Sequence, residues 1–400
     1  MKEEFKLVQL KHDADEKYNI DFLGVEEAQK VQQFHASFPI YKETPLAPFP
    51  ETAAALGIGA MYVKDESYRF GLNAFKVLGG SYAIGNYLAQ KMDMDISQLP
   101  YEKMISDDVR EKLGEITFVT ATDGNHGRGV AWTANQLKQH SVVYMPKGSA
   151  EERLKNIQAE GADASITDMN YDEAVRLANS QAEKNGWVMV QDTAWEGYED
   201  IPRWIMQGYG TMGFEAKEQL PEKPTHIFLQ AGVGSMAGAI TGFFSNVYGD
   251  EKPIITIVEP NKADCLFRTA EADDGTLHFV TGDMNTIMAG LACGEPCSIG
   301  WEVLKNYADN FISCPDYVAA KGMRILGNPA GNDKKVVSGE SGAACVGCIA
   351  EVMTNPELSW LKEKLKLDKD SKVLFFSTEG DTDKENYKAI VWDGKYPSGK

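Results

Sequence analysis

A lysine at the start of a helix can do covalent chemistry if its neighbours keep it dry. Lys76 has that setting. It ends the run Glu66-Ser67-Tyr68-Arg69-Phe70-Gly71-Leu72-Asn73-Ala74-Phe75-Lys76 and opens a predicted helix over 77–88 rich in small residues. A cation is poorly placed at a helix N-terminus. With Phe75, Val77 and Leu78 around it, desolvation would favour the neutral amine that forms imines. A lysine whose stem merely lies along apolar neighbours gives the same pattern. A second candidate is the loop Thr122-Asp123-Gly124-Asn125-His126-Gly127. Its turn residues lead into a helix N-terminus, whose free N–H groups suit a carboxylate; an ordinary N-cap reads equally well. The third is Gln230-Ala231-Gly232-Val233-Gly234-Ser235-Met236-Ala237-Gly238. Glycines there let the backbone approach an anion, and the helix dipole favours it. Gly232, Gly234 and Ala237 also fit the dinucleotide pattern G-x-G-x-x-G/A, with Glu259 where a ribose-binding acid would stand. The same loop would equally hold a simple phosphate monoester.

Three smaller features complete the set. Ser377-Thr378-Glu379-Gly380-Asp381 ends the last apolar run, where a hydroxyl could face a ring nitrogen or simply form a turn. Gly339-Glu340-Ser341-Gly342 is a helix start carrying an acid. Asp192 follows the run 187–190 and could bind an ammonium group or cap a turn.

These residues need a frame to position them. Short apolar runs, many of them β-branched or aromatic, occur at 61–63, 116–121, 141–145, 187–190, 226–230, 254–258 and 373–376, as buried parallel strands do. Helical patterns alternate with them. Ser149 with Glu152 predicts a capping box for a helix over 150–160 that Gly161 closes, and Asn170 with Glu173 predicts another start. The alternation predicts an α/β fold with mostly parallel sheets covered by helices. Ligands in such folds sit at the carboxyl ends of strands, which is where every candidate above falls. Residues 92–113 read as a linker or peripheral helices, 219–224 as a loop and 266–286 as irregular. The segment 115–192 reads as a smaller α/β unit. The expected domains are 1–88 with 199–400, and 89–198.

The chain has 400 residues, 43% hydrophobic and 25% charged, with a net charge of -19. Such an acidic surface repels phosphate backbones, so no nucleic-acid partner is expected. No apolar run is long enough to span a membrane, and residues 1–15 lack the pattern of a signal peptide. Six cysteines are too few for a disulfide scaffold, so the cytosol is the expected compartment. Cys345 and Cys348 form a lone C-x-x-C without a second pair, and no metal site is expected.

Together the motifs resemble the fold-type II pyridoxal phosphate enzymes, the group of tryptophan synthase β and the serine and threonine dehydratases. The resemblance rests on K-D-E-S-x-R-F-G-L-N-A-F-K at 64–76, T-D-G-N-H-G-R-G-V-A-W at 122–132, Q-D-T-A-W-E-G-Y at 191–198, I-M-A-G-L-A-C-G-E-P at 287–296 and S-T-E-G-D-T-D at 377–383. It is strongest to the branch that eliminates ammonia from 2,3-diaminopropionate, because the dehydratases usually carry a small residue in place of Asp123. The resemblance implies two α/β domains with the active site between them and pyridoxal phosphate held as a Schiff base on Lys76. It implies a phosphate cradle from Gly232 through Val233, Gly234, Ser235 and Met236 to Gly238. Asn125 would bond the cofactor's phenolic oxygen, Ser377 or, less readily, Thr378 would face its ring nitrogen, and Glu340 would also bind the cofactor. Lys76 and Asp123 would be bases on opposite faces, serving the L- and D-isomers. Thr122, Asp123, Gly124, His126 and Asp192 would bind substrate, with Asp192 taking the β-ammonium. A small amino-acid substrate and a homodimer are expected, and a serine or threonine dehydratase is the nearest alternative.

Overall fold

The computed structural model describes residues 4–12, 17–122 and 124–398. Among them eleven strands form two sheets. The strands are β1 Lys6–Gln9, β2 Leu46–Pro48, β3 Ala60–Asp65, β4 Thr117–Ala121, β5 His140–Met145, β6 Asp163–Ile166, β7 Val188–Met189, β8 His226–Gln230, β9 Ile254–Pro260, β10 Asn310–Cys314 and β11 Lys372–Ser377. The larger sheet has the order β1-β10-β9-β8-β11-β3-β2, with parallel pairing inside and antiparallel pairing at both edges. The smaller sheet, β6-β5-β4-β7, is parallel throughout. Every residue of β8 is buried, because helices cover both faces of a parallel sheet. This is the expected α/β architecture of two mostly parallel sheets.

All seven apolar runs are strands. Four strands lack such a run, and three of them, β1, β2 and β6, are sheet edges. The helix Tyr171–Asn185 starts on the capping box Asn170–Glu173 as its spacing predicts. The expected Ser149 cap is not formed. Glu151–Ala159 begins one residue later, behind Ala150, and the Ser149 hydroxyl donates instead to the Pro146 carbonyl at 2.8 Å. The stretch 266–286 is irregular only in part, since Cys265–Ala272 is helical. Its cap comes from outside the local sequence: the Glu259 carboxylate accepts from the Leu266 and Phe267 amides at 2.9 and 2.6 Å.

Two close helix contacts fix the place of Lys76. The helix Val77–Lys91 meets Asn125–Gln136 at Gly129 and Asp200–Gln219 at Gly208. A Cβ on Gly129 would lie 2.8 Å from the Val77 Cα, and one on Gly208 would lie 2.4 Å from the Leu78 carbonyl oxygen. Only glycine permits either approach. Ahead of the helix the backbone reverses through Phe70 and Asn73, both at positive φ, a cost that surrounding packing must offset. Beneath that turn lies a buried ion cluster. Arg69 makes paired hydrogen bonds to Glu66 (2.8 and 2.9 Å) and to Glu215 (both 2.8 Å), and Lys64 reaches Glu215 at 2.7 Å. Two cations balance two anions, and the Thr44 hydroxyl joins them by donating to Glu66 at 2.6 Å. The cluster ties the end of β3 to the helix Asp200–Gln219. Among the described residues no helix is long and apolar enough to cross a membrane, and no group of side chains is arranged to hold a metal.

Candidate active site

The carboxyl ends of β3, β8 and β11 in the larger sheet adjoin those of β4 and β7 in the smaller one around a cleft. Lys76, Asp192, Asn125, Gly232, Thr378 and Glu379 are all on its wall.

Lys76 caps the helix Val77–Lys91, and its ammonium bonds the carboxylate of Asp192, which follows β7 and is buried. Burial pushes the Asp192 carboxyl up, but the Lys76 ammonium and the His126 ring outweigh it and hold the pKa at about 2. The backbone around Asp192 is fixed from three sides. Gln191 accepts from the Thr120 hydroxyl at 2.8 Å and from the Ala121 amide at 3.1 Å. The Gln191 amide donates to Tyr171 at 2.8 Å. The Ser235 hydroxyl donates to the Asp192 carbonyl. Asp192 is therefore a rigid anion facing an amine.

Opposite stands the turn after β8. Gly234 has φ +97, a backbone that only glycine adopts freely, and a Cβ on Gly232 would crowd Leu291 and Cys293 at 3.2 and 3.3 Å. The helix Ser235–Tyr248 begins here with its positive end in the cleft. Among the described residues, the N–H groups from Gly232 to Ala237 meet no protein acceptor. Such a cradle suits a phosphate monoester, and Lys76 offers an amine to a carbonyl on the same molecule. Pyridoxal phosphate carries both groups, so the residues present fit it. They do not fit a dinucleotide, because Glu259 is buried and spends both carboxylate oxygens capping Cys265–Ala272.

The remaining sequence candidates divide. Asn125 donates to Glu379 at 2.6 Å across the cleft. Val233, Ser235 and Met236 join the cradle wall. Gly238 does not: its amide is already bonded to the Gly234 carbonyl at 2.8 Å, and a Cβ there would lie 3.1 Å from Gly300. Ser377 is turned away from the cleft, with its hydroxyl on Ser338 at 2.8 Å, while its neighbour Thr378 faces the cleft and accepts from Gln230 at 2.8 Å. Glu340 lies behind the wall, bonded by Asn386; burial and the nearby Glu379 raise its pKa to about 7. The Thr122 hydroxyl accepts from the Gly124 and Gly127 amides at 2.9 and 3.1 Å, so it caps the helix Asn125–Gln136 and Gly124 forms the turn. His126 bonds the Val190 carbonyl at 2.8 Å and lies behind Asp192. Asp123 falls outside the described residues. Cys345 and Cys348 are free and buried in the helix Glu340–Thr354. The sequence reading gave no role to Glu379, Tyr209, Gln230, Ser341 or Cys293, all of which line the cleft. All of them except Tyr209 stand inside motifs quoted above.

Residues 38–377 match the family model described as pyridoxal-phosphate dependent enzyme. The chain is 53% identical over 374 residues to diaminopropionate ammonia-lyase of Escherichia coli (strain K12), covering 92% of each sequence. It superposes on the holo crystal structure of diaminopropionate ammonia lyase from Escherichia coli with a TM-score of 0.91, 49% identity and coverage of 98% and 97%. The complex of that enzyme with D-serine gives a TM-score of 0.91 at 48% identity, with 98% of each chain covered.

Proposed function

The chain belongs to the pyridoxal-phosphate dependent enzymes and, among them, to the diaminopropionate ammonia-lyases, and on that premise we propose that it converts D- and L-2,3-diaminopropionate, with one water, to pyruvate and two ammonia. The observation that supports this most directly is the Lys76 amine paired with the buried Asp192 carboxylate beside an unfilled set of N–H donors.

Pyridoxal phosphate, when bound, supplies the electron-withdrawing ring system that acidifies the substrate's Cα–H. The chain's residues do the rest. Backbone N–H groups from Gly232 to Ala237 would hold the phosphate, and Lys76 would carry the cofactor through its amine. Thr378 is the hydroxyl for the ring nitrogen. Its oxygen already accepts from Gln230, which leaves its own proton to donate. Asn125 would reach the phenolic oxygen. Once the Lys76 nitrogen is engaged, Asp192 is left as a buried anion without its cation. The β-ammonium of diaminopropionate restores the balance, whereas the hydroxyl of serine does not. Lys76 takes the Cα proton of the L-isomer from one face. Asp123 is the proposed base for the D-isomer on the other, a role that rests on the sequence motif. The reading also includes a cofactor-binding body made of 1–88 with 199–400, a smaller body of 89–198, a homodimer and a cytosolic location.

The test is product stoichiometry with each enantiomer. Two ammonia per pyruvate are expected from both isomers, with Lys76→Ala inactive and Asp123→Asn impaired mainly on the D-isomer. Faster turnover of serine than of either isomer would overturn the substrate assignment.

A further inference from the structure

Tyr209 is a large buried side chain on the wall of the cleft that the scheme above leaves without a task. It sits in the helix Asp200–Gln219, is 1% exposed, and its hydroxyl has no hydrogen-bond partner. A buried hydroxyl left without a partner is destabilising. Such a group calls for an explanation, and on the wall of a cleft a bound group is one.

Its neighbours indicate what that is. The ring packs on Phe75 with centroids 4.8 Å apart. It also lies against Gly79, where a Cβ would stand 2.8 Å from Cε1 and 2.9 Å from Cζ. Gly79 is three residues after Lys76, hence on the same face of the helix. The missing side chain at 79 is what lets the phenol sit one turn below Lys76. The titratable groups that face the phenol are Lys76, Asp192 and Cys297. His126 adds to the field at Asp192, and Glu379 stands across the cleft on Asn125. Burial keeps the phenol protonated, so it is a neutral group that can both donate and accept.

In this structure the Lys76 ammonium leans on Asp192. The proposed reaction removes that arrangement, because the substrate's β-ammonium takes Asp192. A lysine that has just accepted the Cα proton is stabilised by any further acceptor on its side of the cleft. We propose that Tyr209 is a positioning residue for the Lys76 nitrogen, its phenolic oxygen accepting a hydrogen bond from that nitrogen when Asp192 is engaged by substrate. Hydrogen bonds to charged groups are the stronger ones. Tyr209 therefore favours protonated Lys76 and keeps the abstracted proton on it. This rests on Lys76 being the base for the L-isomer.

Tyr209→Phe removes one oxygen and keeps the ring. For the full chain stripped of cofactor, the thermal midpoint should be unchanged or higher, since no protein bond is lost. In the holoenzyme, the acid limb of kcat for L-diaminopropionate should move about one pH unit lower, because Lys76 loses a bond made only when protonated. The D-isomer limb, which reports the other base, should stay in place. A purely structural role would shift both limbs together or neither. Either result overturns the proposal, as does a lowered midpoint of the stripped chain, which would mean the hydroxyl was bonded within the protein. Asp123→Asn and Lys76→Ala, assayed alongside, report on the base assignments separately, so failure of that reading is distinguishable from failure of this one.

Discussion

Replacing Asp192 by Asn tests the central electrostatic claim about the site. The side chains are nearly isosteric, but the amide cannot ionise. In the cofactor-free protein the Asp192 carboxyl is held at about 2 against an ordinary 3.8. That difference corresponds to about 2 kcal/mol of folding stability at neutral pH. The sign follows from linkage. The folded carboxyl is the stronger acid, so the contribution is complete above pH 4–5 and is lost as the pH falls toward about 2. Urea denaturation of the cofactor-free wild type and Asp192→Asn at pH 7, 5 and 3.5 measures it. The wild type should be more stable by about 2 kcal/mol at pH 7 and 5, and roughly a quarter of that gap should be gone at pH 3.5. A gap independent of pH, or none at pH 7, would refute the view that Lys76 and His126 hold this anion. In the loaded enzyme the same substitution should cut turnover of both isomers, because the β-ammonium loses its anion.

Glu340 has the opposite sign. Its folded pKa is raised to about 7 from 4.5, so ionisation between those values costs stability as the pH rises. Glu340→Gln should therefore gain on the wild type by about 3 kcal/mol between pH 4 and pH 8, read as the difference in denaturation midpoints. Arg69→Leu would leave Glu66 buried without its ion partner and Glu215 with Lys64 alone, and a loss of about 3–5 kcal/mol by urea denaturation is expected. The adjacent hydroxyls should separate cleanly. Ser377→Ala should cost about 1 kcal/mol of stability through its lost bond to Ser338 and leave the cofactor spectrum alone. Thr378→Val should also lose about 1 kcal/mol through its bond from Gln230, but unlike Ser377→Ala it should weaken cofactor binding, measured by equilibrium dialysis.

The central strands were legible because parallel strands buried on both faces write continuous apolar runs, as His226–Gln230 does. β10 was not, although all five of its residues are buried. Its Asn310 and Ser313 are satisfied by Thr256 at 3.1 Å and Asp264 at 2.7 Å, partners far away in sequence. The helix Cys265–Ala272 was hidden for the same reason, its cap arriving from β9. At the site, the loops carrying Lys76, Asn125, Asp192 and Gly232 announce themselves through glycine and polar spacing. The choice between Ser377 and Thr378 does not. Neighbouring residues at a strand end point to opposite faces, and only the register against β3 and β8 says which face is the cleft. Tyr209 was beyond sequence reading altogether, since a tyrosine in an amphipathic helix looks like core until its hydroxyl is seen without a partner.

The place of β11 between β8 and β3 has a consequence for how the protein is made. β3 finds its parallel partner only when residues 372–377 exist, and the Phe75 amide beside Lys76 bonds the Thr378 carbonyl at 3.0 Å. A ribosome reaches β11 about 300 residues after β3, roughly 15–60 s later at usual rates. Through that interval the nascent chain holds an apolar strand with one open flank and a lysine loop without its support. The cleft thus cannot be complete until β11 has been made. A chain that stops short of residue 372 should retain the smaller sheet yet have no competent pocket, so cofactor capture doubles as a check that synthesis has passed β11.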